Sequence, residues 1–244
     1  MTTRIPLRLT YRRPITASVL HLGFEHADGA PLPFRAGQFI QLHVVDANGT
    51  LQRRSYSLAG APLEEGRRWE ILVGLAPGGL ASARLAQMAM GETVEATGPF
   101  GRFGLAARDA APRYLMIATG TGIAPFRSML PDLVQRAESG AKVVLLHGVR
   151  DSAQLYFRKD FLDAAGAVPG FTYLGCLSRE AVPGGDPHLL GGRVQQALDA
   201  LSPRADDIAC LCGHPEMVDE VALRLREAGL APPAIRRERF TASG

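Results

Sequence analysis

The N-terminal half of the chain is written in short alternating runs, the C-terminal half in long apolar ones. Phe39-Ile40-Gln41-Leu42-His43-Val44 alternates apolar and polar positions, as a strand with one buried face does, and Ile15 to Leu22 alternates in part. Arg53 to Leu58, Trp69 to Leu75 and Glu92 to Ala96 read as further strands. Ala30-Pro31, Ala47-Asn48-Gly49, Ala76-Pro77-Gly78-Gly79 and Gly98-Pro99 punctuate them as turns. One helix is predicted among them, Ser82 to Met90, with Leu85 and Met88 at helical spacing. Many short strands so spaced predict a small antiparallel barrel.

Beyond Ala106-Ala107-Arg108-Asp109-Ala110-Ala111-Pro112 the period changes. Tyr114-Leu115-Met116-Ile117-Ala118 and Val143-Val144-Leu145-Leu146 are unbroken apolar runs, as parallel strands covered on both faces require. Phe171 to Leu177 and Ile208 to Cys212 continue the series. Helical stretches alternate with them: Ala124 to Glu138, Phe157 to Ala165, Val194 to Leu201 and Pro215 to Ala228. Strand and helix in alternation predict an α/β domain with a doubly wound parallel sheet. The expected organisation is two domains, 1–108 and 109–244, with the hinge at 106–112.

Composition adds constraints. The 244 residues are 46% apolar and 21% charged, an ordinary globular balance. No apolar run is long enough for a membrane-spanning helix. Met1 to Pro6 lacks the apolar core of a signal peptide, so a cytoplasmic protein is expected. Cys176, Cys210 and Cys212 cannot make a disulfide framework and are too few for a four-cysteine zinc or iron–sulfur site, and no metal is expected. Of the 27 basic residues only Lys142 and Lys159 are lysines. Residues 1–110 hold 12 arginines against 9 acids, and the rest of the chain balances 15 against 15. That excess is too thin for a nucleic-acid footprint, though it suits an acidic protein partner. A simple preference for arginine over lysine accounts for it equally.

Three segments carry candidate chemistry. Thr119-Gly120-Thr121-Gly122-Ile123-Ala124-Pro125 follows an apolar strand and opens a helix. Glycines there let backbone approach a diphosphate, the helix start offers unpaired N–H groups, and Pro125 suits a first turn. On Arg53-Arg54-Ser55-Tyr56-Ser57-Leu58, alternation puts Arg54 and Tyr56 on one face and Ser55 and Ser57 on the other. Arginine beside tyrosine can pair a phosphate and cover a planar ring, but an exposed strand face reads the same way. Gly78-Gly79-Leu80-Ala81-Ser82 opens a helix with Ser82 as its N-cap, or holds a second diphosphate.

Together these segments resemble the ferredoxin–NADP reductase family. Arg54-Ser55-Tyr56-Ser57 resembles its R-x-Y-S flavin signature, and Gly79-Leu80-Ala81-Ser82 its G-x-x-S flavin-phosphate turn. Gly98-Pro99-Phe100-Gly101 resembles its G-P-x-G segment, and Thr119 to Pro125 its pyridine-nucleotide loop. Cys212-Gly213-His214-Pro215-Glu216-Met217 resembles its C-G-x-P-x-M turn. Each motif alone is weak, but their shared order, from Phe34-Arg35-Ala36-Gly37-Gln38-Phe39 to Phe240, is specific.

The resemblance implies a Greek-key flavin barrel followed by a nucleotide-binding domain, with FAD and NADP(H) as cofactors. It implies that Arg54 pairs the flavin diphosphate, Tyr56 packs on the flavin ring, and Ser57 presents a hydroxyl near the atom that takes the hydride. The backbone of Gly79, Ala81 and Ser82 would hold flavin phosphates, with Phe240 a further flavin contact. Thr119, Gly120, Thr121 and Gly122 would cradle the nicotinamide-cofactor diphosphate. Cys212 and Gly213 would lie beside the nicotinamide, with Glu238 in the final strand orienting or protonating the site. A small buried residue is the plainer reading of Cys212. For Glu238 it is a surface charge amid Arg236, Arg237 and Arg239. Ser178-Arg179-Glu180 resembles a family segment whose arginine pairs a 2′-phosphate, and Arg193 could join it, favouring NADPH.

The plant-type members end on an aromatic residue that stacks on the flavin, whereas Thr241-Ala242-Ser243-Gly244 follow Phe240 here. The extra cysteines of relatives that fuse an iron–sulfur domain are absent, so electrons are expected to leave to a separate acidic carrier, ferredoxin or flavodoxin, from a monomer. An oxygenase reductase component or a free-flavin reductase is the alternative. A nucleotide-binding subunit that senses or docks is a third.

Overall fold

Leu7, Leu9, Leu20, Leu22, Phe24, Ile40, Leu42, Trp69 and Ile71 all point into one core, each at every second position of its strand. The computed structural model describes residues 3–45, 48–62, 66–76, 78–182 and 184–240. Thr241–Gly244, which the sequence singles out after Phe240, lie outside the described residues, as do Ala47 and Pro77 of the predicted turns. The chain forms two compact units, the first up to Arg102 and the second from Phe103.

The strands of the first unit are β1 (Ile5–Thr16), β2 (Val19–His26), β3 (Phe39–Val45), β4 (Leu51–Ser57), β5 (Arg68–Gly74) and β6 (Thr93–Phe100). They pair antiparallel in the order β4-β3-β6-β1-β2-β5. A bridge between Leu58 and Ile71 joins the two ends of that order and closes the barrel. Helix α1 (Leu80–Gln87) packs Ala81 and Leu85 into the same core. Arg12 donates to the carbonyls of Ala86 (3.1 Å) and Met88 (2.8 Å) at the helix C-terminal end, where the dipole favours a cation.

The second unit is a six-stranded, wholly parallel sheet. Its strands are β7 (Arg113–Thr119), β8 (Lys142–Val149), β9 (Phe171–Leu177), β10 (Leu189–Gly191), β11 (Ile208–Gly213) and β12 (Ile235–Arg239), in the order β10-β9-β8-β7-β11-β12. Helices α2 (Ala124–Ser128), α3 (Leu130–Glu138) and α4 (Arg158–Ala167) cross between the earlier strands. Helices α5 (Val194–Ala200) and α6 (Pro215–Glu227) cross between the later ones. α5 and α6 cover Leu115, Ile117, Leu146, Ala209 and Leu211 with Val194, Leu198, Val218, Val221 and Leu225. β7 is made first yet lies centrally, with β8 on one side and β11 on the other, so the strand order reverses there. A crevice at the C-terminal ends of strands at such a reversal is where sheets of this kind bind ligands.

The structure corrects several boundaries. Ile15 to Leu22 is no single strand: β1 ends at Thr16, whose hydroxyl accepts the Ser18 amide (3.2 Å) in a turn, and β2 starts at Val19. β6 runs past Ala96 to Phe100, through a cis Gly98–Pro99 bond. The predicted helix from Ala124 to Glu138 breaks at Met129, because Pro131 has no N–H to continue the ladder. The helix expected from Ser82 starts at Leu80, with Gly79 as the N-cap. Ser82 therefore does not cap it; its hydroxyl donates back to the Gly79 carbonyl (2.9 Å). The predicted hinge is tied into the second unit. Arg136 donates to the carbonyls of Ala106 and Asp109, each at 2.8 Å, and Arg236 grips the Asp109 carboxylate at 2.5 and 2.6 Å.

Candidate functional site

In the barrel, β4 carries the first candidate group. Arg54 stands opposite Leu42 and Tyr56 opposite Ile40, so both sit on the side that turns toward the core, half-buried. Tyr56 packs against the core cluster, and that burial pushes its phenol up to about 12, the Arg54 charge opposing weakly. It is a neutral, mostly apolar ring face. The Arg54 guanidinium makes one hydrogen bond among the described residues, to the Arg53 carbonyl at 3.0 Å. A half-buried guanidinium with no acid bonded to it among the described residues suits an anion. Ser57 is buried at the end of β4, opposite Phe39, immediately before the Leu58 bridge that closes the barrel.

At the start of α1, a Cβ on Gly79 would lie 2.7 Å from Ser82 Oγ and 3.1 Å from the Ala76 carbonyl, so the turn admits only glycine without a shift. The first amide with an acceptor in the helix ladder is that of Ala83, bonded to the Gly79 carbonyl. Those of Leu80, Ala81 and Ser82 precede the ladder and have no acceptor among the described residues. Ala81 spends its side chain in the core, leaving only its amide for a ligand. A guanidinium bonded to a single backbone carbonyl and, at the start of α1, amides with no acceptor among the described residues each suit the flavin diphosphate.

In the second unit the ends of β7 and β11 are built together. Gly120 to Ile123 form a 3-10 turn leading directly into α2. Gly120 has φ +54°, and nothing lies within 4 Å of where its Cβ would be, so the space above it is open to a ligand. Gly122 differs: its Cβ would lie 2.4 Å from the Cys212 carbonyl oxygen, so its bare Cα seats the loop on β11. Gly213, at φ +134°, would press its Cβ to 2.3 Å from Thr119 Oγ1. That hydroxyl accepts the His214 amide at 2.9 Å, and the Phe240 amide reaches the Gly213 carbonyl at 2.8 Å. Thr119, Gly122, Gly213 and Phe240 thus hold one another, while Gly120 and Thr121 line open space.

Cys212 is fully buried, with Glu238 its register partner on β12 and the thiol 3.9 Å from the carboxylate. Burial first, then the Glu238 charge, hold the thiol well above its ordinary pKa. The thiol therefore keeps its proton, as a buried cysteine does. Glu238 is half-buried against it, unlike the exposed Arg237 and Arg239.

Arg179 and Arg193 are exposed beyond β9 and at the start of α5. The Arg179 amide bonds the Arg150 carbonyl at 2.9 Å, which places Arg150, just past β8, on the same sheet edge. No guanidinium of the three is hydrogen-bonded among the described residues. Arg150 was missed in the sequence because it carries no motif, and only the parallel register of β8 and β9 brings it alongside. His147 was missed too, as one more position in an apolar strand. Its Nε2 lies 3.0 Å from the Gly120 carbonyl, beneath the loop.

The comparisons agree with this geometry. A family model described as "Oxidoreductase FAD-binding domain" matches residues 6–104, and one described as "Oxidoreductase NAD-binding domain" matches residues 116–222. The chain is 35% identical over 243 residues to the reductase subunit of an aromatic O-demethylase from Amycolatopsis, covering 94% of this chain and 70% of that one. It is 33% identical to ferredoxin–NADP reductase B of Sorangium cellulosum, covering 96% of each. Among solved structures, an Amycolatopsis cytochrome P450 reductase superposes with a TM-score of 0.85 at 32% identity, over 99% of this chain and 72% of that one. The chain spans between 62% and 70% of the length of the first oxygenase reductases it matches. No described helix is long and apolar enough to cross a membrane. With a barrel matched by an FAD-binding model, a parallel sheet matched by an NAD-binding model, and a ferredoxin–NADP reductase aligned over 96% of both chains, the chain belongs to the ferredoxin–NADP reductase family of FAD- and NAD-binding oxidoreductases.

Proposed function

We propose that this oxidoreductase exchanges a hydride with NADP(H) and single electrons with a separate acidic carrier protein of the ferredoxin or flavodoxin type. The observation that carries the choice of NADPH is the group Arg150, Arg179 and Arg193, exposed cations whose guanidinium groups have no hydrogen-bond partner among the described residues, on the edge of the sheet that bears the nucleotide loop, with Glu220 within reach of the Arg193 charge. A 2′-phosphate is the charge such a group can take up. The match to a ferredoxin–NADP reductase over 96% of both chains supports the same reading. The arginine excess in residues 1–110 supports an acidic partner.

FAD, when bound, supplies the exchange between a two-electron hydride and single electrons. The chain's part is binding and orientation. Arg54 and the amides of Leu80 to Ser82 hold the flavin diphosphate. Tyr56 covers the ring with a face that stays neutral, and Ser57 offers a hydroxyl at the barrel seam. Gly120 and Thr121 receive the nucleotide diphosphate. Cys212 and Glu238 shape the floor beside the nicotinamide, the thiol keeping its proton.

Two outcomes are expected. Ser57→Ala should slow anaerobic flavin bleaching near 450 nm about tenfold, the order of one lost hydrogen bond, while the protein keeps its flavin. Flavin loss in step with rate would remove that role. Arg179→Gln should raise the Kd for NADPH about tenfold or more and leave NADH unchanged, since only NADPH carries the extra charge. An equal effect on both nucleotides would make Arg179 a surface residue.

The second reading is a reductase component that feeds an oxygenase and prefers NADH. It is favoured by the 35% identity to the O-demethylase reductase subunit. Fast bleaching with NADH and slow bleaching with NADPH would select it.

A further inference from the structure

His147 interrupts an otherwise apolar stretch of β8, is fully buried, and has no part in the chemistry above. A buried imidazole is costly unless its nitrogens are engaged. Both are: Nε2 lies 3.0 Å from the Gly120 carbonyl oxygen, and Nδ1 lies 3.5 Å from the Tyr173 hydroxyl on β9. A carbonyl can only accept, so Nε2 carries the proton, and Nδ1 accepts from Tyr173. Tyr156 lies beside the same ring, with centroids 6.1 Å apart, and Tyr173 is itself stacked on Phe161 of α4 at 5.4 Å. Ring, tautomer and donor direction are thus set by packed neighbours on several elements.

The target of that donor is the Gly120–Thr121 peptide, beside which the space is open. A trans peptide is planar, with its C=O and N–H opposed. Holding the Gly120 carbonyl down on the imidazole therefore turns the Thr121 N–H outward. Gly120 meets that demand at φ +54°, a conformation glycine adopts freely.

We propose that His147 is a positioning residue for the pyridine nucleotide, holding the Gly120–Thr121 peptide so that its N–H is presented to the diphosphate. This rests on the reading of the loop as the diphosphate site. The 3-10 turn alone, with its poorer hydrogen-bond geometry, holds that peptide less firmly, and the nucleotide would have to finish ordering it on binding. His147 removes that cost in advance.

The test is calorimetric titration of NADP+ and of NAD+ onto the flavin-loaded full chain, beside stopped-flow flavin reduction. His147→Phe fills the space without a donor and should raise Kd for both nucleotides about tenfold. Flavin content and the limiting reduction rate at saturating nucleotide should hold. His147→Gln can still donate to the carbonyl and should recover most of the affinity. Equal weakening in both variants, or unchanged Kd in both, overturns the proposal. If the phenylalanine variant does not fold, Tyr173→Phe removes only the hydroxyl that fixes the tautomer. It should raise Kd about threefold, and no change there also overturns the proposal. Gly120→Ala tests the underlying reading separately: if it leaves Kd untouched, the loop is not the diphosphate site. If it weakens binding while the His147 variants do not, the loop reading stands and the positioning role falls.

Discussion

Alanine in place of Gly122 is expected to destabilise the second unit by about 3 kcal/mol or more and to abolish nucleotide binding. The added methyl would meet the Cys212 carbonyl oxygen at 2.4 Å and its carbon at 2.7 Å, and both are backbone atoms of a central strand. A flexible side chain could swing away; β11 cannot, being paired to β7 and β12 on its two sides. The loop must lift instead, breaking the fit that bonds Thr119 to the His214 amide. Gly120→Ala is the contrast. Its methyl meets nothing within 4 Å, and the cost is only the left-handed conformation, about 1 kcal/mol. Urea unfolding followed by circular dichroism distinguishes the two. Similar midpoints for both variants would refute the close approach at Gly122.

The second large effect is a loss of stability on acidification, carried by His147. Burial lowers its pKa from 6.5 to about 4, the Gly120 hydrogen bond opposing. The unfolded chain titrates near 6.5, so above that pH neither state takes the proton and stability is complete. Between pH 6.5 and 4 the unfolded chain binds a proton that the folded one refuses, and stability falls as pH falls. Integrated over that window the loss is about 3 kcal/mol. Unfolding midpoints measured from pH 7 to 4 should decline less steeply in His147→Gln than in the unsubstituted chain. Parallel profiles would mean that other groups carry the acid sensitivity.

Both effects arise where the sequence was hardest to read. Gly120 and Gly122 look alike in Thr119-Gly120-Thr121-Gly122, yet one is needed for a backbone angle and the other for a strand's carbonyl lying against it. That carbonyl belongs to a residue some ninety positions away, and spacing along a chain does not report such contacts. The central strands were legible because burial on both faces leaves an unbroken apolar run, as in Tyr114 to Ala118. β12 was not, apart from the family resemblance. Ile235-Arg236-Arg237-Glu238-Arg239 buries only Ile235, and Arg236 finds its use against Asp109 far up the chain. The motif residues on β4 and α1 were legible as chemistry but not as geometry. Ala81 turned out to face the core, and Ser82 to sit within the first turn of the helix it was expected to cap.

The central position of β7 also dictates an order of assembly during synthesis. Every strand of the barrel lies between Ile5 and Phe100, so the flavin-binding unit has all its pairing partners before the first strand of the parallel sheet leaves the ribosome. β7 then waits with one flank bare until β11 arrives, since Thr119 meets its partner His214 only 95 residues later. The nascent chain can therefore hold flavin well before it can hold a pyridine nucleotide. For that interval β7 exposes a row of unpaired backbone groups, which makes this strand the place where a stalled or truncated chain would associate with others.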